Sequence, residues 1–134
     1  MTNRRSLALL STLILCAPGP ASAEQALLLY GGSEHNEFLG CLNCDRYQEN
    51  SINNTYGQFG SPYSSLSIWN HYGVYGSAYS ATGVCNHYAA DAPVIVDKSG
   101  KFYGRLTLNN YAQGAIKNES LIYWLRIKVC GEAA

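Results

Sequence analysis

The sequence predicts an α+β domain with a small, mostly antiparallel sheet, an irregular region of sixteen-residue repeats packed against it, one C-terminal helix and disulfide bonds. Three observations carry this expectation. Between Pro93 and Asn109 two apolar runs flank a Gly-containing turn, as in a β-hairpin. Residues 51–89 resemble themselves at a fixed offset, and four cysteines, an even set, follow an export signal.

Residues 1–23 have the build of a cleavable signal peptide. Arg4 and Arg5 precede the uncharged, Leu-rich run Leu7 to Ala17, whose eleven residues are too few to span a hydrocarbon core. Pro18, Gly19 and Pro20 then break the helix, and Ala21, Ser22 and Ala23 offer small side chains to a signal peptidase. The expected mature chain, residues 24–134, is a single secreted or periplasmic domain of 111 residues with no membrane span left after cleavage.

Along that domain, Ala26 to Tyr30 is an apolar run closed by Gly31 and Gly32 and predicts a short buried strand. In the hairpin, Val94, Ile95 and Val96 enter Asp97, Lys98, Ser99 and Gly100, and KFYGRLTL returns. Alternation places Phe102, Leu106 and Leu108 on one face of the returning strand and Tyr103, Arg105 and Thr107 on the other. The segment LIYWLRIKV suits either helix or strand; a helix capped by Asn118 or Ser120, lined by Leu121, Leu125 and Val129 and ended at Gly131 is favoured.

Residues 50–90 contain no Asp, Glu, Lys or Arg and are rich in Tyr, Gly, Ser and Asn. A shift of sixteen aligns unit 51–66 with unit 67–82, and a partial unit, 83–89, carries Val84, Asn86, His87 and Tyr88 onto Ile68, Asn70, His71 and Tyr72. Phe59 falls on Tyr75. Ser51 or Ser67 is suited to cap one helical turn that Gly57 or Gly73 would end, and Ile52, Ile68, Val84 and Trp69 are expected to pack on the sheet.

Removing Arg4 and Arg5 leaves seven basic against nine acidic residues, a formal charge of −2 with neutral His, and no basic run. Nucleic acid is thereby excluded as a partner. Cys16 departs with the signal, so Cys41, Cys44, Cys85 and Cys130 form two disulfides in one of three pairings. Loop-closure entropy gives roughly 2 kcal/mol for a bond across CLNC and about 4 for one joining distant cysteines. A purely structural role therefore favours long-range pairing, and local pairing of Cys41 with Cys44 is what thiol-redox chemistry would need. The same cysteines, with His35 or His87, are the alternative zinc ligands, although thiols in an oxidising compartment pair covalently first. No metal or cofactor is expected.

Other chemistry finds little support. There is no GxSxG elbow or phosphate-cradling glycine loop, and no carboxylate is patterned with a His. Glu34, Glu37 and Asp45 are read as solvated loop charges, and His71 and His87, at equivalent repeat positions, as solvated surface residues, the alternative being a pH-sensitive or metal-binding pair if consecutive units stack. The uncharged Tyr-rich tract remains: Trp69, Tyr56, Tyr63, Tyr72, Tyr75 and Tyr79 offer amphipathic rings among small polar residues, a composition suited to recognition of a protein or glycan partner. The opposing expectation is that the tyrosines are spacers packing one unit on the next.

FLGCLNC, followed by the SIWN, YG, YGS, YS repeat and then APVIVDKSGKFYG, resembles a family of small secreted bacterial proteins of uncharacterised function, over most of residues 29–108. The resemblance implies an exported bacterial module and brings no activity with it. The functional expectation is a non-enzymatic binding or structural module, the alternative a thiol-redox or zinc protein centred on CLNC.

Overall fold

The computed structural model describes residues 25–133; the signal peptide reading lies outside them. A four-stranded, wholly antiparallel sheet has the order β2-β1-β3-β4, from β1 (Leu28–Gly31), β2 (Glu37–Cys41), β3 (Val94–Val96) and β4 (Phe102–Arg105). Both hairpins close at positive φ: Gly32 (87°) and His35 (54°) between β1 and β2, Gly100 (90°) between β3 and β4. The β1 and β3–β4 expectations hold. β2 lies in the FLGCLNC segment, which no alternation marks as a strand.

In the returning strand the predicted face fails in part. Leu106 and Leu108 are buried, but Phe102 is half-exposed and Thr107 is buried. A register shift between Ile95 and Val96 and the φ of +136° at Gly104 interrupt the alternation, and the strand ends at Arg105.

The C-terminal segment is helical, with α1 at Glu119–Trp124 running directly into a π-helical turn, Leu125–Val129. Asn118 is the N-cap, its side chain accepting the Leu121 N–H at 2.9 Å, and Gly131 leaves the helix at φ 67°. Leu125 and Val129 are buried and Leu121 packs against the core.

Residues 45–89 do not form the predicted helical turns. They make a train of tight turns in which the last residue of one is the first of the next: Asn54 N–H donates to Ser51 O, Gly57 to Asn54, Ser64 to Ser61, Ser67 to Ser64, Asn70 to Ser67 and Gly73 to Asn70, all at 3.0–3.2 Å. The cause is local. The leading Ser or Asn side chain accepts the N–H two residues on, as at Ser51 to Asn53, Asn54 to Tyr56, Ser61 to Tyr63, Ser67 to Trp69 and Asn70 to Tyr72, and this competes with helix propagation. One unit is thus SIN, NTY, GQFG, SPY, SSL and the next SIW, NHY, GVYG, SAY, SAT. Burial matches at fifteen of sixteen positions between 51–66 and 67–82, the exception being exposed Asn53 against half-buried Trp69.

The core lies where this train meets the sheet. Ile52, Ile68 and Val84, sixteen apart, are fully buried in one cluster with Leu29, Leu39, Ile95, Leu106 and Leu125. Gly60 and Gly76 sit where a Cβ would collide with the backbone oxygens of Asn54 and Asn70, so only glycine lets successive turns approach this closely.

Cys41 pairs with Cys44 and Cys85 with Cys130, both at Cα–Cα 5.5 Å. This corrects the expected preference for two long-range bonds. Loop-closure entropy ranks pairings that geometry allows, and here β2 delivers Cys41 into a tight turn beside Cys44 while the helix end brings Cys130 to the third repeat unit.

Candidate functional site

From Ser51 on, each three-residue step buries or half-buries its first residue; the third is exposed in SIN, NTY, SPY, NHY and SAY and half-buried in SSL, SIW and SAT. Tyr56, Tyr63, Tyr72 and Tyr79 all occupy that third position and are 98%, 91%, 99% and 94% exposed. Rings so exposed cannot be spacers between units. Their backbones are held in place, because the N–H of each is bonded to the Oδ1 or Oγ of the residue two before it, at 3.0–3.1 Å. The surface therefore presents its rings from an ordered scaffold.

Tyr75 does not belong to this set. It is 4% exposed and lies in the core, and the reason is the extra residue in its step. GQFG and GVYG are four residues long and close with a longer bond, Ser61 N–H to Gly57 O and Ser77 N–H to Gly73 O, both 3.0 Å, which swings Phe59 and Tyr75 inward. The Tyr75 ring lies against Gly31 and its hydroxyl donates to Glu37 Oε1. Burial, then the hydrogen bond and negative charge of Glu37, push this phenol up to about 12.

Trp69 is half-buried. Its Nε1 donates to Ile52 O at 2.7 Å, tying one unit to the one before it, and its ring meets Trp124 edge-on at 6.0 Å. Its remaining edge lines a cavity of about 390 Å³ with Ile52, His71, Val129 and Lys128.

Sequence reasoning left out Tyr47 and Tyr88, 79% and 88% exposed. Both follow the same rule: Tyr47 N–H bonds Asp45 Oδ1 at 2.8 Å and Tyr88 N–H bonds Asn86 Oδ1 at 2.9 Å. The signal was present, since a shift of sixteen carries Tyr47 onto Tyr63 and Tyr79, and Tyr56 onto Tyr72 and Tyr88. Charged Asp45 and Arg46 disguise the first step. The Arg46 guanidinium lies 5.2 Å over the Tyr47 ring.

His71 and His87 partner the C-terminal segment and not each other. His71 Nε2 lies 2.6 Å from Val129 O, an oxygen that can only accept, so the ring donates from Nε2. His87 Nε2 meets Glu132 Oε2 at 2.7 Å.

The CLNC loop is a clasp. Asn43 accepts Leu27 N–H at 2.9 Å and donates to Gln25 O at 2.8 Å, while Cys44 O accepts from Ser51 Oγ and Asn53 Nδ2, both at 2.9 Å. Cys41 is fully buried, and turns rather than a helix follow Cys44, so no helix N-terminus stabilises a thiolate there. Among the described residues no three His, Cys, Asp or Glu side chains are grouped to hold a metal, and no helix is long and apolar enough to cross a membrane.

No family model matches the chain, and no curated protein or solved structure is found to be similar to it.

Proposed function

We propose that this chain is an exported, non-enzymatic binding module whose turn train displays tyrosines to a protein or glycan partner outside the cytoplasm. One observation carries the reading: Tyr56, Tyr63, Tyr72 and Tyr79 stand more than nine-tenths exposed at one repeated turn position. A ring left in water forgoes roughly 1.5–3 kcal/mol that burial would contribute, so a scaffold that fixes four of them outward is suited to making contact with something else. The two disulfides, the signal-like residues 1–23 and the resemblance to small secreted bacterial proteins support export.

The test is co-sedimentation of the purified protein with isolated bacterial envelopes, comparing the wild type with the Tyr56→Ala, Tyr63→Ala, Tyr72→Ala, Tyr79→Ala variant. Retention that the variant loses supports the reading; equal sedimentation of the two overturns it. A second reading, thiol exchange at CLNC, draws on the local Cys41–Cys44 pairing. Catalysed reduction of insulin disulfides, abolished by Cys44→Ser, would support it over the binding module.

A further inference from the structure

The exposed tyrosines frame grooves, and the grooves repeat. Arg46, Tyr47, Asn53, Asn54, Thr55 and Tyr56 line one of about 520 Å³. Adding sixteen to each number gives Pro62, Tyr63, Trp69, Asn70, His71 and Tyr72, and these six line a second groove of about 380 Å³. The floor of each is fixed in the same way. Asn54 Nδ2 donates to Gln48 O at 3.2 Å and Asn70 Nδ2 to Ser64 O at 3.0 Å, while their Oδ1 atoms accept the N–H of Tyr56 and Tyr72 at 3.0 Å. A second application of the shift reaches Tyr79 and Tyr88, again both exposed, and Asn86, whose Nδ2 donates to Ser80 O at 2.9 Å.

The two grooves have a common neighbour. The cavity of about 390 Å³ beside Val129 shares Asn53 and Thr55 with the first and Pro62, Trp69 and His71 with the second, so the three lie side by side along the train. A surface that offers the same station more than once along a line matches a ligand whose own structure repeats along a line.

The lining chemistry narrows the class. No carboxylate lines any of the three cavities, and the fixed cations are Arg46 at one end and Lys128 at the edge, too few to neutralise a polyanion. A protein partner calls for a contiguous apolar centre ringed by polar contacts. The rings here are separated by Ser, Asn, Thr and Pro, and none of the aromatic pairs found among the described residues includes Tyr56, Tyr63, Tyr72 or Tyr79. Isolated rings beside neutral hydrogen-bonding groups suit a pyranose, which offers a flat C–H face for stacking and hydroxyls at its rim.

On the reading of this face as a recognition surface, we infer that it binds a linear, uncharged polysaccharide laid along the turn train, with sugar rings stacking on the tyrosines of consecutive stations. Simultaneous engagement makes the second contact intramolecular, so affinity rises with chain length once two stations are spanned.

The experiment is isothermal titration of the full exported chain with neutral oligomers from dimer to octamer: β-1,4-glucose, β-1,3-glucose, α-1,4-glucose and β-1,4-N-acetylglucosamine series, with alginate as the polyanion comparison. In at least one neutral series Kd falls by about tenfold or more between trimer and octamer. The Tyr63→Ala, Tyr72→Ala pair removes that gain while leaving trimer binding within about threefold. Because these side chains touch solvent, an unchanged circular dichroism spectrum and melting curve certify the variant. Absence of binding in all four series, affinity that is flat with length, or tighter binding of alginate than of every neutral octamer overturns the inference. The broader reading fails separately: envelope retention that depends on the tyrosines, survives periodate and is lost to protease would replace the glycan with a protein partner, whereas retention indifferent to the tyrosines would remove both.

Discussion

Tyr75 and Tyr63 lie twelve residues apart in the same tract, yet their removal has opposite consequences. Tyr75 is 4% exposed, its ring against Gly31 and its hydroxyl on Glu37; Tyr63 is 91% exposed. Tyr75→Ala leaves a cavity the size of a ring beside a glycine that has no side chain to fill it, which costs about 3–5 kcal/mol, a large part of the stability of a small domain. Tyr63→Ala stays within about 0.5 kcal/mol of the wild type. Should Tyr75→Ala fail to fold, Tyr75→Phe keeps the reasoning testable. Phe59 already occupies the equivalent position, so the ring is accommodated, and loss of one hydrogen bond to an exposed carboxylate costs about 1 kcal/mol.

The same variant has a pH signature. The Tyr75 phenol is raised to about 12 in the folded protein against about 10 when unfolded, so its contribution is complete below pH ~10 and is lost as pH rises through about 12. Tyr75→Phe lacks that alkaline loss. The assay is guanidinium unfolding followed by circular dichroism, disulfides intact, at neutral pH and between the two values. A Tyr75→Ala protein as stable as wild type, or a Tyr63→Ala protein weakened by more than about 2 kcal/mol, would refute the assignment of one ring to the core and the other to solvent.

Three further outcomes follow from the same geometry. Cys85→Ser with Cys130→Ser lowers unfolding free energy by about 4 kcal/mol and Cys41→Ser with Cys44→Ser by about 2, measured by denaturant titration, because the first bond closes a 45-residue separation and the second one of 3. Asp97 is held at about 2, chiefly by the Ser99 hydroxyl and then, against the cost of burial, by Tyr103 and the N–H groups of Lys101 and Ser99. Its contribution is present above the unfolded value near 4 and is lost as pH falls through about 2, so acid unfolding of Asp97→Asn, followed by fluorescence, shows a weaker pH dependence in that window. Gly60→Ala and Gly76→Ala each force a Cβ onto backbone oxygen and lower the melting temperature sharply in a thermal scan, whereas Gly57→Ala, whose Cβ meets its nearest atom at 3.2 Å, has a far smaller effect.

Much of the fold was legible because its signals are local. The hairpin around Asp97 to Gly100, the Asn118 cap and the Gly131 stop each depend on a few adjacent residues, and the offset of sixteen is visible by inspection. The turn train was not legible as such, since Ser or Asn before an apolar residue caps a helix as readily as it opens an Asx-type turn. The face of Tyr75 was misread because composition does not distinguish a three-residue step from a four-residue one; its alignment with Phe59, a purely apolar ring, was the available clue. Disulfide connectivity depended on strand β2, which alternation does not announce, and on where the helix end falls. The grooves required knowing that a tyrosine in the third position of a three-residue step points outward, after which Tyr47 and Tyr88 join the set without further information.

The central claim is that Tyr56, Tyr63, Tyr72 and Tyr79 form an outward recognition face while Tyr75 does not. Limited iodination read by peptide mass spectrometry, with and without saturating bacterial envelopes, tests both halves together. The account predicts rapid modification of the four in the free protein, protection of at least two sixteen-related rings when bound, and no modification of Tyr75 in either state. Unchanged labelling of all four in the bound state, or Tyr75 labelled as fast as Tyr63, would contradict it.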